Sequence, residues 1–198
     1  MGNSKIPKIP NPGPPQAFAD AKAWAHWLGK HHYESPGIWV KLYRKDSGVP
    51  TLTHEQALEE ALCLGWIDGQ LKPFDRKAWL RRFTPRKPKS GWSKRNREIV
   101  ERLIRERRMH PAGLSQVAAA MGDGRWDRAY DKPSESEVPA DFLRALAKHP
   151  KALAFFKTLN KANRYAISYR LQTAKKPETR AKRFARLLAM MKAGKKLH

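Results

Sequence analysis

The sequence holds one cysteine, Cys63, among 198 residues. That excludes an internal disulfide and any multi-cysteine zinc site, and it suits a reducing compartment. No apolar run approaches the ~18 residues that would span a bilayer, so no transmembrane segment is expected. The start, MGNSKIPKIPNPGPPQ, lacks the apolar stretch of an export signal, and Ile6 stands where a myristoylation motif needs Ser or Thr. It reads as a flexible Pro-rich arm over 1–15. Phosphate-loop, dinucleotide, nucleophile-elbow and H-E-x-x-H signatures are all missing. His26, His31 and His32 lie close together, but no soft ligand joins them, and they read as surface or capping side chains. Cys63 sits among apolar neighbours and reads as a packed thiol rather than a nucleophile. No catalytic residue, metal or cofactor is expected, and the reading leans away from an enzyme.

Acids are also scarce, 18 against 41 Lys and Arg, for a net charge of +23. The imbalance is local. Residues 76–108 hold 14 Lys and Arg against 3 acids, and residues 161–198 hold 12 against 1, leaving the rest nearly neutral. Such clusters create a strong local potential whose natural partners are polyanions, nucleic acid first, with an anionic membrane surface as the other candidate.

What is present is enough to fold: 40% hydrophobic residues, seven of them Trp. Helical spacing of Phe18, Ala21, Trp24, Ala25 and Leu28 predicts an amphipathic helix over 15–31. In IWVKLYRK, Ile38, Val40 and Leu42 alternate with Trp39, Lys41 and Tyr43, the pattern of a half-buried strand. Thr53 and Gln56 form a capping box ahead of a helix with Ala57, Leu58, Ala61 and Leu62 inward, and Gly65 fits the left-handed position that closes it. Two extended segments, 66–71 and 78–84, predict an antiparallel hairpin. Ser93 offers an N-cap to the helix carrying Ile99, Val100, Leu103 and Ile104. Beyond His110 only helices are expected: one from Pro111, then 140–148, 150–159, 161–174 and 177–193, with Ala181, Phe184, Leu187, Leu188 and Met191 as the apolar face of the last. The fold class is therefore α+β, a small antiparallel sheet with helices followed by an all-helical C-terminal half. The domains read as an arm (1–15), an α+β domain (16–122), a linker (123–139) pinned to the surface by Trp126 and Tyr130, and a helical domain (140–198).

Two constellations carry the functional reading. In WIDGQL, strand alternation places Trp66, Asp68 and Gln70 on one face, with Ile67 and Leu71 toward the core. An Arg opposite Asp68, with Arg81 the candidate, would form a charge-assisted pair and hold the carboxylate ionised, unsuited to general-acid work at neutral pH. In RRFTPRKPKSGWSKRN, the cations Arg81, Arg82, Arg86, Lys87, Lys89, Lys94 and Arg95 flank Phe83 and Trp92. The helix start at Ser93 adds free N–H groups and a positive dipole end. Interleaved cations and rings suit a phosphate backbone with base stacking, Phe83 or Trp92 supplying the platform. Arg180 and Arg183 extend the basic character along the last helix.

The ordered series TLTHEQALEEALCLGWIDGQ, RFTPRKPKSGWSKRN, RMHPAGL, DGRW, VPADF and NRYAISYRLQTAKKPETRAKR resembles the bacterial YdeI/OmpD-associated family, also called bacteriocin-protection, from about Phe18 to the last helix. The resemblance implies no established enzymatic activity, cofactor or catalytic residues, and a role in tolerance to antimicrobial peptides or envelope stress. The expectation is a non-enzymatic, cytoplasmic bacterial protein that binds nucleic acid or another polyanion through a basic surface. The competing expectation is a small-anion or enzyme site on the Trp66/Asp68/Gln70 face.

Overall fold

A computed structural model describes residues 13–131 and 135–197. Most of the arm read over 1–15, and three residues of the linker read over 123–139, lie outside these. The chain divides into two compact units, one of residues 1–90 with 98–126, the other of residues 91–97 with 127–198.

The first unit is built on a four-stranded sheet in the order β1-β2-β4-β3, formed by β1 (Gln16–Ala17), β2 (Ile38–Tyr43), β3 (Trp66–Pro73) and β4 (Ala78–Pro85). The sheet is mixed rather than wholly antiparallel, because β1 runs parallel to β2, with Gln16 opposite Val40. The segment expected to open a helix at residue 15 is therefore strand first. Pro14 and Pro15 disfavour helix there, and Asp20 starts α1 (Ala21–His31) by accepting the Ala23 N–H at 2.8 Å. Ile38, Val40, Leu42 and Phe83 form the inner face of the sheet and pack on Trp24 and Leu28 of α1 and on Ala57 and Ala61 of α2 (His54–Cys63). The Trp24 indole N–H donates to the Ala57 carbonyl at 3.0 Å, so the largest core side chain leaves no orphaned donor.

Helix α2 begins as the sequence reads it. The Thr53 hydroxyl accepts from the Gln56 N–H at 3.2 Å, and the Gln56 side chain accepts from the Thr53 N–H at 2.8 Å. Gly65 follows its end at φ 76°, a backbone conformation that disfavours a Cβ. Two further helices, α3 (Lys94–Arg105) and α4 (Pro111–Gly122), follow the sheet. Glu59 on α2 pairs with Arg102 and, at 3.2 Å, with Arg108, while Glu60 meets Arg108 at 2.6 Å. Cys63, 3% exposed, lies beside this cluster. Burial first, and then Glu60, pushes its thiol up to about 11, Arg108 opposing. At pH 8 native Cys63 is therefore expected to resist Ellman's reagent, with one equivalent reacting only after denaturation.

In the second unit, residues 91–97 pair with the chain near Tyr130. The Tyr130 N–H donates to the Trp92 carbonyl at 3.0 Å, and the Lys94 N–H to the Tyr130 carbonyl at 2.9 Å. Helices α5 (Ala140–Ala147), α6 (Pro150–Lys157), α7 (Lys161–Gln172) and α8 (Pro177–Lys192) enclose a core of Phe142, Leu146, Phe156, Ile167, Leu171, Leu187 and Met191. Phe184 and Leu188 pack against this core, so the apolar stripe of α8 is spent inside the unit, while Ala181 is exposed rather than part of it. Trp126, read as a surface pin, is buried at the end of the first unit, its N–H donating to the Ala120 carbonyl at 3.0 Å. No helix among the described residues is long and apolar enough to cross a membrane.

Candidate nucleic-acid interface

The row Trp66/Asp68/Gln70 does not survive as one face. The β3–β4 register runs Asp68 opposite Phe83 and then Leu71 opposite Arg81, so one extra residue is inserted and the alternation breaks at Gly69–Gln70. Trp66 points into the core and donates to the His32 carbonyl at 3.2 Å. Leu71, expected inward, is 59% exposed. Asp68 stays on the helix side of the sheet, and Gln70 is exposed beyond the bulge.

Asp68 and Arg81 meet as the sequence suggests, Arg81 Nη2 lying 2.9 Å from Asp68 Oδ2. A third member, which sequence reading missed, is His54 at the start of α2. Its Nε2 lies 2.9 Å from the same oxygen and 3.2 Å from Arg81 Nε. One ring nitrogen cannot donate to the carboxylate and accept from the guanidinium at once. Facing an anion at the shorter distance, Nε2 carries the proton and donates to Asp68. Arg81 Nη1 also donates to the Gly69 carbonyl at 3.1 Å, clamping the bulge. The cluster is a part-buried brace between α2 and the edge of the sheet. Replacing Asp68 by Ala leaves two donors, His54 Nε2 and the Arg81 guanidinium, without their shared acceptor, and about 2 kcal/mol of stability should be lost. A lower urea midpoint with unchanged slope is the expected readout.

Among the described residues, no group of three or more His, Cys, Asp or Glu is placed to hold a metal ion. Near the histidines read as surface or capping groups, His32 caps α1 through its N–H to the Leu28 carbonyl at 2.9 Å and is itself buried.

Several residues read as phosphate contacts have other work. Arg81 is held by Asp68. Arg86 is only 6% exposed, its N–H donating to the Gly65 carbonyl at 3.0 Å, so it is not a surface cation. Lys94 pairs with Asp131 at 2.6 Å, and Arg180 with Asp141 at 2.8 Å. Arg183 donates to the Arg170 carbonyl at 2.8 Å, at the end of α7. Arg95 is half-buried. The free helix start expected at Ser93 is filled by the chain itself: the Ser93 hydroxyl accepts the Asn96 N–H at 3.1 Å, and Tyr130 takes the Lys94 N–H. Phe83 and Trp92 are 0% and 2% exposed and cannot stack on a base. Phe83 shares the inner face with Ile38 across the ladder, and Trp92 lies in a segment paired with Tyr130. Arg82, Lys87 and Lys89 keep the surface role.

The exposed rings lie elsewhere. Trp39 is opposite Arg82, Lys41 opposite Leu80, and Lys72 opposite Leu80 on the other side of β4. These residues therefore share the outer face of the sheet. Lys72 Nζ sits 4.7 Å from the Trp39 ring centre, and the Arg82 guanidinium 5.8 Å from it. Lys41 Nζ lies 4.7 Å from the Tyr43 ring and 4.2 Å from that of Phe74. Trp39 is covered by its cations, while Phe74 is 49% exposed and Tyr43 half-exposed. Asp75 meets Lys41 at 3.6 Å and is held below the usual carboxylate range, chiefly by the Lys77 backbone N–H. The signal for this face was in the alternation of IWVKLY, which sets Trp39, Lys41 and Tyr43 on one side. What it lacked was the register that adds Lys72 and Arg82.

No curated protein and no solved structure matches the chain. Residues 135–194 match the family described as bacteriocin-protection, YdeI or OmpD-associated, which is narrower than the nearly full-length resemblance read from the sequence. Residues 16–116, including the helix–bulge segment and the basic loop, match a different family, a domain of unknown function. The chain thus belongs to the family of that N-terminal domain of unknown function (DUF8412), and it carries a bacteriocin-protection, YdeI or OmpD-associated region in its C-terminal helices.

Proposed function

We propose that the protein is a non-enzymatic nucleic-acid-binding protein of the bacterial cytoplasm. The observation that carries this is the outer face of the sheet, where Lys41, Lys72 and Arg82 interleave with Trp39, Tyr43 and Phe74. Cations at this spacing follow a phosphate backbone, and the exposed Phe74 and Tyr43 rings offer base stacking, which favours a single strand over a duplex. Lys87 and Lys89 extend the positive potential along the neighbouring loop. A membrane surface is the weaker partner, because the apolar stripe of α8 is already buried. The single packed thiol suits a reducing compartment. The bacteriocin-protection wording of the C-terminal family supports a role for such binding in tolerance of antimicrobial peptides.

Fluorescence anisotropy with a labelled single-stranded oligonucleotide tests the reading. Four phosphate contacts, at Lys72, Arg82, Lys87 and Lys89, predict that log affinity falls against log salt with a slope of about −2.8. Absence of binding at low salt, or affinity unchanged as salt rises, would overturn it.

A further inference from the structure

One cleft of the first unit has a composition that backbone tracking alone does not explain. It encloses about 480 Å³ between the bulged end of β3 and the segment leaving β4. Arg82 and Lys87 supply two cations, Gln70 an amide, and Pro36 and Pro85 flat apolar walls, while the buried Arg86 also lines it; no carboxylate is among its lining residues. That volume is in the range of small-molecule sites and exceeds what a lone ion fills.

The decisive atom is Arg82 Nη2, which is fully enclosed and has no hydrogen-bond partner among the described residues. Native proteins pair nearly all such donors, so an enclosed guanidinium N–H without an acceptor marks a place where an acceptor from outside belongs. Arg82 is not simply loose. Its strand position opposite Trp39 is fixed by the ladder, and the Trp39 ring backs the guanidinium. Gln70 reaches the cleft because the bulge breaks the alternation that would have set it beside Trp66 and Asp68. An oxyanion held by the Arg82 guanidinium and the Lys87 ammonium, with the Gln70 amide beside them, matches these donors in charge. The proline walls add contact for a ring or a sugar.

We propose that this cleft binds the phosphate group of a phosphomonoester of nucleotide size. The inference deepens the nucleic-acid reading and rests on it for the choice of ligand. Two sources share the chemistry, a free mononucleotide and the 5′-phosphorylated end of a strand.

Isothermal titration of the full chain with adenosine monophosphate, adenosine and inorganic phosphate separates phosphate from ring recognition. Anisotropy with one oligonucleotide sequence, carrying either a 5′-phosphate or a 5′-hydroxyl, tests the strand end. Adenosine monophosphate is expected to bind at least about tenfold more tightly than adenosine. Arg82→Gln should abolish that preference. Gln70→Ala, at an exposed position, should weaken the nucleotide several-fold while leaving the melting temperature unchanged, which keeps the test valid if the Arg82 variant folds poorly. A gain from the 5′-phosphate would assign the site to strand ends; nucleotide binding without that gain would assign it to the free ligand, and either supports the cleft. Equal affinity for adenosine and its monophosphate, with salt-sensitive binding of both oligonucleotides alike, would overturn the inference and leave the nucleic-acid reading standing. Failure of every ligand would remove both.

Discussion

Replacing Gly113 by Ala is expected to be among the most damaging single changes in the N-terminal unit, although it adds one methyl to a helix. A Cβ at this position would lie 2.2 Å from the Cys63 carbonyl oxygen and 2.9 Å from its carbon. Both atoms are backbone, so no side chain can rotate aside. Helix α4 sits this close because its first turn docks on the end of α2, the His110 N–H donating to the Cys63 carbonyl at 3.0 Å. Gly65, at the same crossing, would place its own Cβ 3.0 Å from the Ala112 carbonyl. Relieving the clash means moving α4 off α2 and losing that hydrogen bond and nearby packing. About 3 kcal/mol should be lost, with a melting temperature lower by roughly 6–12 °C. The same substitution at Gly29 should act in the opposite direction. Gly29 lies inside α1 with nothing within 4 Å of its would-be Cβ. Alanine there should add about 0.5–1 kcal/mol by restricting the unfolded chain and favouring helix. Thermal melts of the two variants side by side check both signs, and equal shifts would show that the close approach of α4 does not limit stability.

What the sequence made legible is local. The Thr53/Gln56 capping box and Gly65 depend on side chains reaching their own backbone within a few residues, and both appear in the structure as read. The C-terminal helices follow from apolar periodicity, and their ends differ by a residue or two. The parallel strand β1 was not legible, because two residues paired with a strand more than twenty positions away leave no periodic trace. The Trp66/Asp68/Gln70 row failed for a different reason. Strict alternation assumes an unbroken ladder, and one inserted residue reverses every side chain beyond it. Gly69 within the strand pattern was the available sign of that bulge.

The candidate interface shows the same divide. Charge-rich surroundings made Phe83 and Trp92 look exposed, yet neighbours in a strand point to opposite faces. Arg82 and Thr84 flank Phe83 in sequence without sharing its side of the sheet. Likewise, a cation's availability depends on carboxylates far away in the chain, such as Asp131 for Lys94 and Asp141 for Arg180. The sequence identified the basic segments correctly as charge. Which members of them are unneutralised is a property of the fold.

That distinction gives the prediction with the largest effect on binding. Lys72, Lys87 and Lys89 are exposed, and among the described residues none of them pairs with a carboxylate. Changing all three to Gln should leave the fold intact, since none contributes to the core clusters. For a single strand each lost phosphate contact removes about 0.7 from the salt slope, so the triple variant should flatten it by about 2. At ~50 mM salt its affinity should fall on the order of 30-fold or more, uniformly across sequences. A matched control removes a neutralised cation: Lys94→Gln together with Asp131→Asn takes away one charge of each sign. That pair should leave the slope within experimental error of the parent, because Lys94 already spends its charge on Asp131. If the control weakened binding as much as the triple variant, net charge rather than the outer face of the sheet would govern the interaction. If neither variant changed the slope, the bound strand would lie on another surface.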